Sequence, residues 1–129
     1  MTVSNTDIHF EHESDCLFVR AISRYFLIQK EEAIQAIVDA LKARPVKAAL
    51  VDLRGVPGPV TFTDRYRLGE LTGRYLAGTP IAVVVFEEQA DPERIGKLVA
   101  RNRGANIEVF TDLAEAQAWL KKYFGSEKA

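Results

Sequence analysis

The chain has 129 residues, 47% of them hydrophobic and 27% charged, the mixture of an ordinary globular domain large enough to bury its own core. A net charge of −1 excludes the broad positive field that holds nucleic acid or an anionic membrane. The lone Cys16 excludes an internal disulfide, the first residues lack the basic cluster and apolar centre of a signal peptide, and the run Ile81 to Phe86 is too short to cross a bilayer. The expectation is one cytoplasmic domain over residues 1–129 with an ordered core of about 7–124.

Residues 7–13 alternate, with Ile8 and Phe10 pointing one way and His9, Glu11 and Glu13 the other. Ser14-Asp15 is turn chemistry and Cys16 to Ile22 alternates again, so the chain is expected to open with an antiparallel hairpin. Ile34, Ile37, Val38 and Leu41 recur at helical spacing in a helix expected from about Lys30 to Arg44. Pro45 ends it, because the residue before a proline avoids helical backbone angles. Ala48 to Leu53 is apolar on both faces, the pattern of a central strand covered by helices on either side. A second helix starts near Thr61 or Thr63, either of which can cap it, with Leu68, Leu71 and Tyr75 on one face. Gly69 and Gly73 each cost about 1 kcal/mol relative to alanine inside a helix, which predicts a close neighbour there.

Pro80 opens a second two-faced strand, Ile81 to Phe86. For the third helix Asp91 is the expected N-cap, Pro92 the first helical residue and Glu93 part of the first turn. Ile95, Leu98 and Val99 are expected to face inward, and Gly104 to supply the left-handed end. Ile107 to Phe110 reads as a short strand. Asp112 and Glu115 resemble a capping box opening a fourth helix. Its inner stripe is Leu113, Ala116, Leu120 and Phe124, with Trp119 and Tyr123 beside it and a polar tail from Gly125 to Ala129. The order ββαβαβαβα implies a single α/β domain with a mostly parallel sheet of about five strands, one antiparallel strand from the hairpin, and four helices.

That order, together with LVDLRGV, DPERIGKLVARNRG and IEVFTDLAEAQAWL, resembles the SpoIIAA-like branch of the STAS superfamily over roughly residues 8–124. These are small bacterial proteins related in shape to anti-sigma-factor antagonists and to the lipid-binding CRAL-TRIO fold. The resemblance implies that fold and a style of function: binding, regulation or ligand sensing. Antagonists of anti-sigma factors carry a phosphorylated serine in an Asp-Ser-Ser/Thr-Gly element at the head of the helix after the third strand. This chain has Thr61-Phe62-Thr63-Asp64-Arg65 there, and no serine between Ser23 and Ser126. Thr61 and Thr63 are the possible phosphoacceptors, since a helix N-terminus favours an anion, but they read first as caps.

Open α/β sheets bind ligands at the carboxyl ends of their strands. The candidate ligand- or partner-binding residues there are Asp52, Arg54, Phe62, Thr63, Asp64, Tyr66 and Phe86, with Arg94 and Arg101 from the third helix. Phe62, Tyr66 and Phe86 either line an apolar cleft or serve the core or a homodimer interface. Arg94, Lys97 and Arg101 lie along one side of their helix, as a solvated face or as a stripe for an anionic headgroup or acidic partner, which Arg65, Arg67, Arg74 and Arg103 would join only if the fold allows. Asp52 is similar to the phosphoacceptor of response-regulator receivers, but the acidic pair and lysine of that chemistry are missing, so it reads as bonding the backbone of its own loop. His9 and His12 point to opposite faces of a strand and do not converge on a metal, and Cys16 reads as a small buried hydrophobe. No catalytic residue, metal or cofactor is expected.

The expected function is a non-enzymatic binding or regulatory module acting through protein contacts, with a homodimer possible. The alternative is a carrier or sensor of a small apolar or lipid-like ligand near residues 56–66 and 86–89. A third reading is a phosphorylation-controlled switch.

Overall fold

The opening alternation folds as a hairpin: β1 (Ile8–Glu13) pairs antiparallel with β2 (Cys16–Ala21), Ile8 opposite Ala21 and Glu13 opposite Cys16. The structure is a computed structural model that describes residues 7–91 and 93–123. Three further strands, β3 (Ala48–Asp52), β4 (Ile81–Val84) and β5 (Ile107–Phe110), add in chain order, and the pairings β2–β3, β3–β4 and β4–β5 are parallel. The helices among the described residues are α1 (Tyr25–Ile28), α2 (Lys30–Ala43), α3 (Phe62–Leu76), α4 (Ile95–Asn102) and α5 (Leu113–Lys121).

Every parallel step moves one strand along in the same direction. Crossovers of one hand therefore deliver α2, α3 and α4 to the same face of the sheet. There Ile34, Ile37, Leu71 and Ala100 share a core with Leu17, Val19, Val51 and Ile81. Ala116 and Leu120 of α5 close the opposite face over Ala48, Leu50, Ala82 and Val84. All five residues of β3 are buried, which explains its two-faced apolar run.

Four expectations need correction. Among the described residues the helices number five rather than four, because Tyr25 to Ile28 form a single turn whose Tyr25, Phe26 and Leu27 are buried, too short for any periodicity to announce it. The third expected helix begins at Ile95, because Arg94 sits at φ 57°, a left-handed conformation that helical backbone cannot run through. Asp91 still organises that start, accepting the N–H groups of Glu93 at 3.0 Å and Ile95 at 2.7 Å. Leu98 is exposed, and α4 instead buries Lys97, Val99 and Ala100. Phe86 lies beyond the end of β4 and is exposed. The roles expected of Pro92, Phe124 and the tail 125–129 lie outside the described residues.

The close neighbour that the helix glycines predict is α4. A Cβ on Gly69 would lie 2.5 Å from the Gly96 carbonyl oxygen and 2.9 Å from Val99 Cβ, and one on Gly73 would lie 2.5 Å from Arg103 Cβ. Nothing larger than glycine fits this seam. α4 accordingly packs chiefly on α3, with a lesser contact to β5. The consequence shows in one cross-strand row, Val51–Val83–Val109: Val51 is 4% exposed, Val83 partly buried and Val109 39% exposed. Cover thins along this row toward the β5 edge, where Ile107 is still buried but Val109 is not.

Candidate binding cavity

A cavity of about 740 Å³ opens between the sheet and α3 and reaches round the β5 edge to Phe110, Glu115 and Trp119. Val51 and Val83 line it from below, Leu68 and Thr72 from α3, and Leu53 and Val56 from the loop after β3. Its size is that of a site for one small molecule, and the lining is mostly apolar. The Thr72 hydroxyl is spent on the Leu68 carbonyl at 2.7 Å, so it offers the interior a methyl group.

The loop between β3 and α3 is tied from three sides. The Asp52 carboxylate accepts the N–H of Arg54 at 3.0 Å and its guanidinium through Nε at 3.0 Å and Nη2 at 2.9 Å. Burial alone would raise the Asp52 pKa, but the Arg54 hydrogen bonds and charge hold it below the ordinary carboxylate value. Arg24 Nη1 donates to the carbonyls of Pro57 at 2.7 Å and Pro59 at 3.1 Å. Gly58 between them is at φ +84°, and a Cβ there would stand 2.6 Å from Arg24 Nη1. Gln89 Nε2 donates to Leu53 O at 3.0 Å and Val56 O at 3.2 Å, while its Oε1 accepts the N–H of Phe86 at 2.7 Å. One amide side chain thus joins the loop after β3 to the loop after β4, over the cavity. Arg65 Nη2 reaches the Gln89 carbonyl at 3.1 Å from the first turns of α3.

The residues singled out in the sequence sort differently. Asp52 does bond its own loop, and with Arg54 it shapes the wall without lining the cavity. Thr61 is the N-cap of α3 in a capping box with Asp64: Thr61 Oγ1 accepts the Asp64 N–H at 3.1 Å and Asp64 accepts the Thr61 N–H at 3.0 Å. Burial would raise the Asp64 pKa, but Lys30 Nζ at 2.9 Å and the Thr61 bonds hold it low. A carboxylate therefore already occupies the anion position at this helix start. Thr63 is exposed in the first turn. Phe62 and Tyr66 stack at 6.3 Å on the outside of α3, with Arg103 over the Tyr66 ring at 5.9 Å. Phe62, Tyr66 and Phe86 are all exposed, and they belong neither to the core nor to the cavity lining.

The basic stripe of α4 is not a uniform solvated face. Lys97 is buried and pairs with Glu108 at 2.8 Å, and Arg101 holds Glu108 at 3.2 Å and the Ile107 carbonyl at 3.0 Å. Burial opposes ionisation of Glu108, yet Lys97, the Val109 N–H and Arg101 together bring its pKa below the ordinary value. Of the three, Arg94 alone makes no ion pair among the described residues, and it lines the cavity.

His9 is exposed while His12 Nε2 lies 3.2 Å from the Ala40 carbonyl oxygen, so the two do face apart. Burial pushes the Cys16 thiol up to about 11, as befits a packed side chain. Among the described residues no cluster of histidine, cysteine and acidic side chains could hold a metal, and no helix is long and apolar enough to cross a membrane. No family model matches the chain, and no curated protein matches it. Gln89 escaped the sequence reading because a glutamine in the polar run Glu87-Glu88-Gln89 carries no signal of its two distant carbonyl partners.

Proposed function

We propose that this chain is a non-enzymatic binding module of SpoIIAA-like, STAS-type architecture that takes one small apolar ligand between its sheet and helices. The observation that carries the proposal is the cavity of about 740 Å³ floored by Val51 and Val83. An apolar ligand entering it removes from water the part of Val83, Leu68 and Val109 that stays exposed, at about 25 cal/mol per Å² on each side of the contact. The bonds through Gln89, Arg24 and Asp52 set the mouth in advance, which lowers the ordering cost of binding.

A second reading, contact with a protein partner, is favoured by the exposure of Phe62, Tyr66 and Phe86 beside the same edge. Native mass spectrometry of gently purified protein separates the two. Ligand binding predicts a retained small molecule, or uptake of added decanol that Leu68→Trp abolishes by filling the space. A mass that stays that of the bare chain, with decanol present, refutes it.

A further inference from the structure

We infer that the ligand of this cavity carries an anionic head, a carboxylate or a phosphate, held at the mouth by Arg65 and Arg94 while its apolar body lies over Val51 and Val83. The inference rests on the ligand-binding reading above. The charges that line the cavity are unequally committed. Asp91 spends both carboxylate oxygens on the N–H groups of Glu93 and Ile95. Glu108 is shared between Lys97 and Arg101, which leaves all three satisfied. Glu115 belongs to α5, the helix on the opposite face of the sheet. Arg65 and Arg94 remain as the cations with donors open, facing the anionic Glu87, Asp91 and Glu115 of the same lining.

Neither arginine has a carboxylate partner among the described residues. The Arg65 side chain makes one hydrogen bond there, to the Gln89 carbonyl, which leaves most of its donors open. The two arginines come from adjoining helix starts: a Cβ on Gly96, two residues after Arg94, would lie 3.1 Å from the Arg65 carbonyl oxygen. Arg94 also holds the left-handed turn at φ 57°, where glycine would be easier, so the position carries a long cation at a steric cost. Two guanidinium groups with open donors beside an apolar space offer paired N–H groups to the planar oxygens of a carboxylate or phosphate, which a neutral head matches less well.

The test is calorimetric titration of the full chain at low ionic strength with decanoate, decyl phosphate, decanol and decylammonium. The expected result is that at least one of the two anions binds about tenfold more tightly than decanol, with a preference that shrinks as salt is added. Arg94→Gln, at a side chain with no ion-pair partner among the described residues, should remove most of that preference and leave decanol binding unchanged. Arg65→Gln/Arg94→Gln should remove the rest. Equal binding of decanol and both anions, or tighter binding of decylammonium, overturns the anionic head while the apolar site stands. Failure of all four probes to bind refutes the ligand-binding reading itself.

Discussion

Gly69→Ala puts the seam between α3 and α4 under a direct load. In an exposed helix the change stabilises by about 1 kcal/mol, because alanine gives up less backbone freedom. Here the new Cβ meets the Gly96 carbonyl oxygen at 2.5 Å and Val99 Cβ at 2.9 Å. Ordinary contact begins near 3.4 Å, so α4 must retreat by roughly 0.9 Å. A backbone oxygen has no rotamer by which to step aside, and the penalty belongs at the upper end of the ~1–3 kcal/mol seen for overpacking. Set against the propensity gain, the net loss is about 1–2 kcal/mol, or a melting temperature lower by about 3–8 °C in a domain of this size. Urea and thermal denaturation measure it, with an unchanged urea slope showing that the folded state stays compact. Gly96→Ala is the graded control: its Cβ would stand 3.1 Å from the Arg65 carbonyl oxygen, and a shift of a few tenths of an ångström relieves it. If Gly69→Ala raises the melting temperature, the seam is looser than described, and the reason given for the exposure of Val109 fails with it.

Gln89→Ala removes three hydrogen bonds, two of which join the loop after β4 to the loop after β3, and should cost about 1–3 kcal/mol while speeding amide exchange at residues 53–60 more than in the core. Uniform exchange across the chain would show that Gln89 does not hold the mouth. Thr61→Ala loses the α3 cap and should cost about 1 kcal/mol, whereas exposed Thr63→Ala should stay within about 0.5 kcal/mol of the parent in the same denaturation assay. Equal effects would contradict the capping assignment. Asp52, Asp64 and Glu108 all have lowered folded-state pKa values, so their stabilisation is complete above the unfolded carboxylate pKa of ~4 and is lost as pH falls through the lowered values. The melting temperature should therefore fall below about pH 4, and less steeply in Asp52→Asn. A maximum of stability in that acid range would reverse the sign and refute the pairing.

The architecture was largely legible, and the cavity was not. Alternation marked the hairpin, helical spacing marked Ile34 and Ile37, and the run Ala48 to Leu53 marked a strand buried on both faces. These are periodic signals repeated over many residues. The misreadings occurred where a single backbone angle or a single turn decides: the left-handed Arg94 moved the start of α4, and the one turn of α1 had no room for a period. Val51, Val83 and Leu68 each look like core, and no pattern of apolar residues tells whether the space between them is filled. Gly69 and Gly73 announced close packing, but only the fold reveals that the partner is α4 and that Val109, at the β5 edge, is left exposed. The pairing of Lys97 and Arg101 was hidden for the same reason, because Glu108, eleven residues from Lys97, comes from a different element.

Methyl-resolved NMR of the full chain during titration with decanol addresses the cavity most directly. Valine and leucine methyls of Val51, Val83 and Leu68 should shift and show contacts to the alkyl chain, while those of Leu50 and Val84, on the opposite face of the same strands, should stay in place. Shifts confined to Leu50 and Val84, or no contact at Val83 under saturating decanol, would mean that the space between sheet and helices is not a binding site.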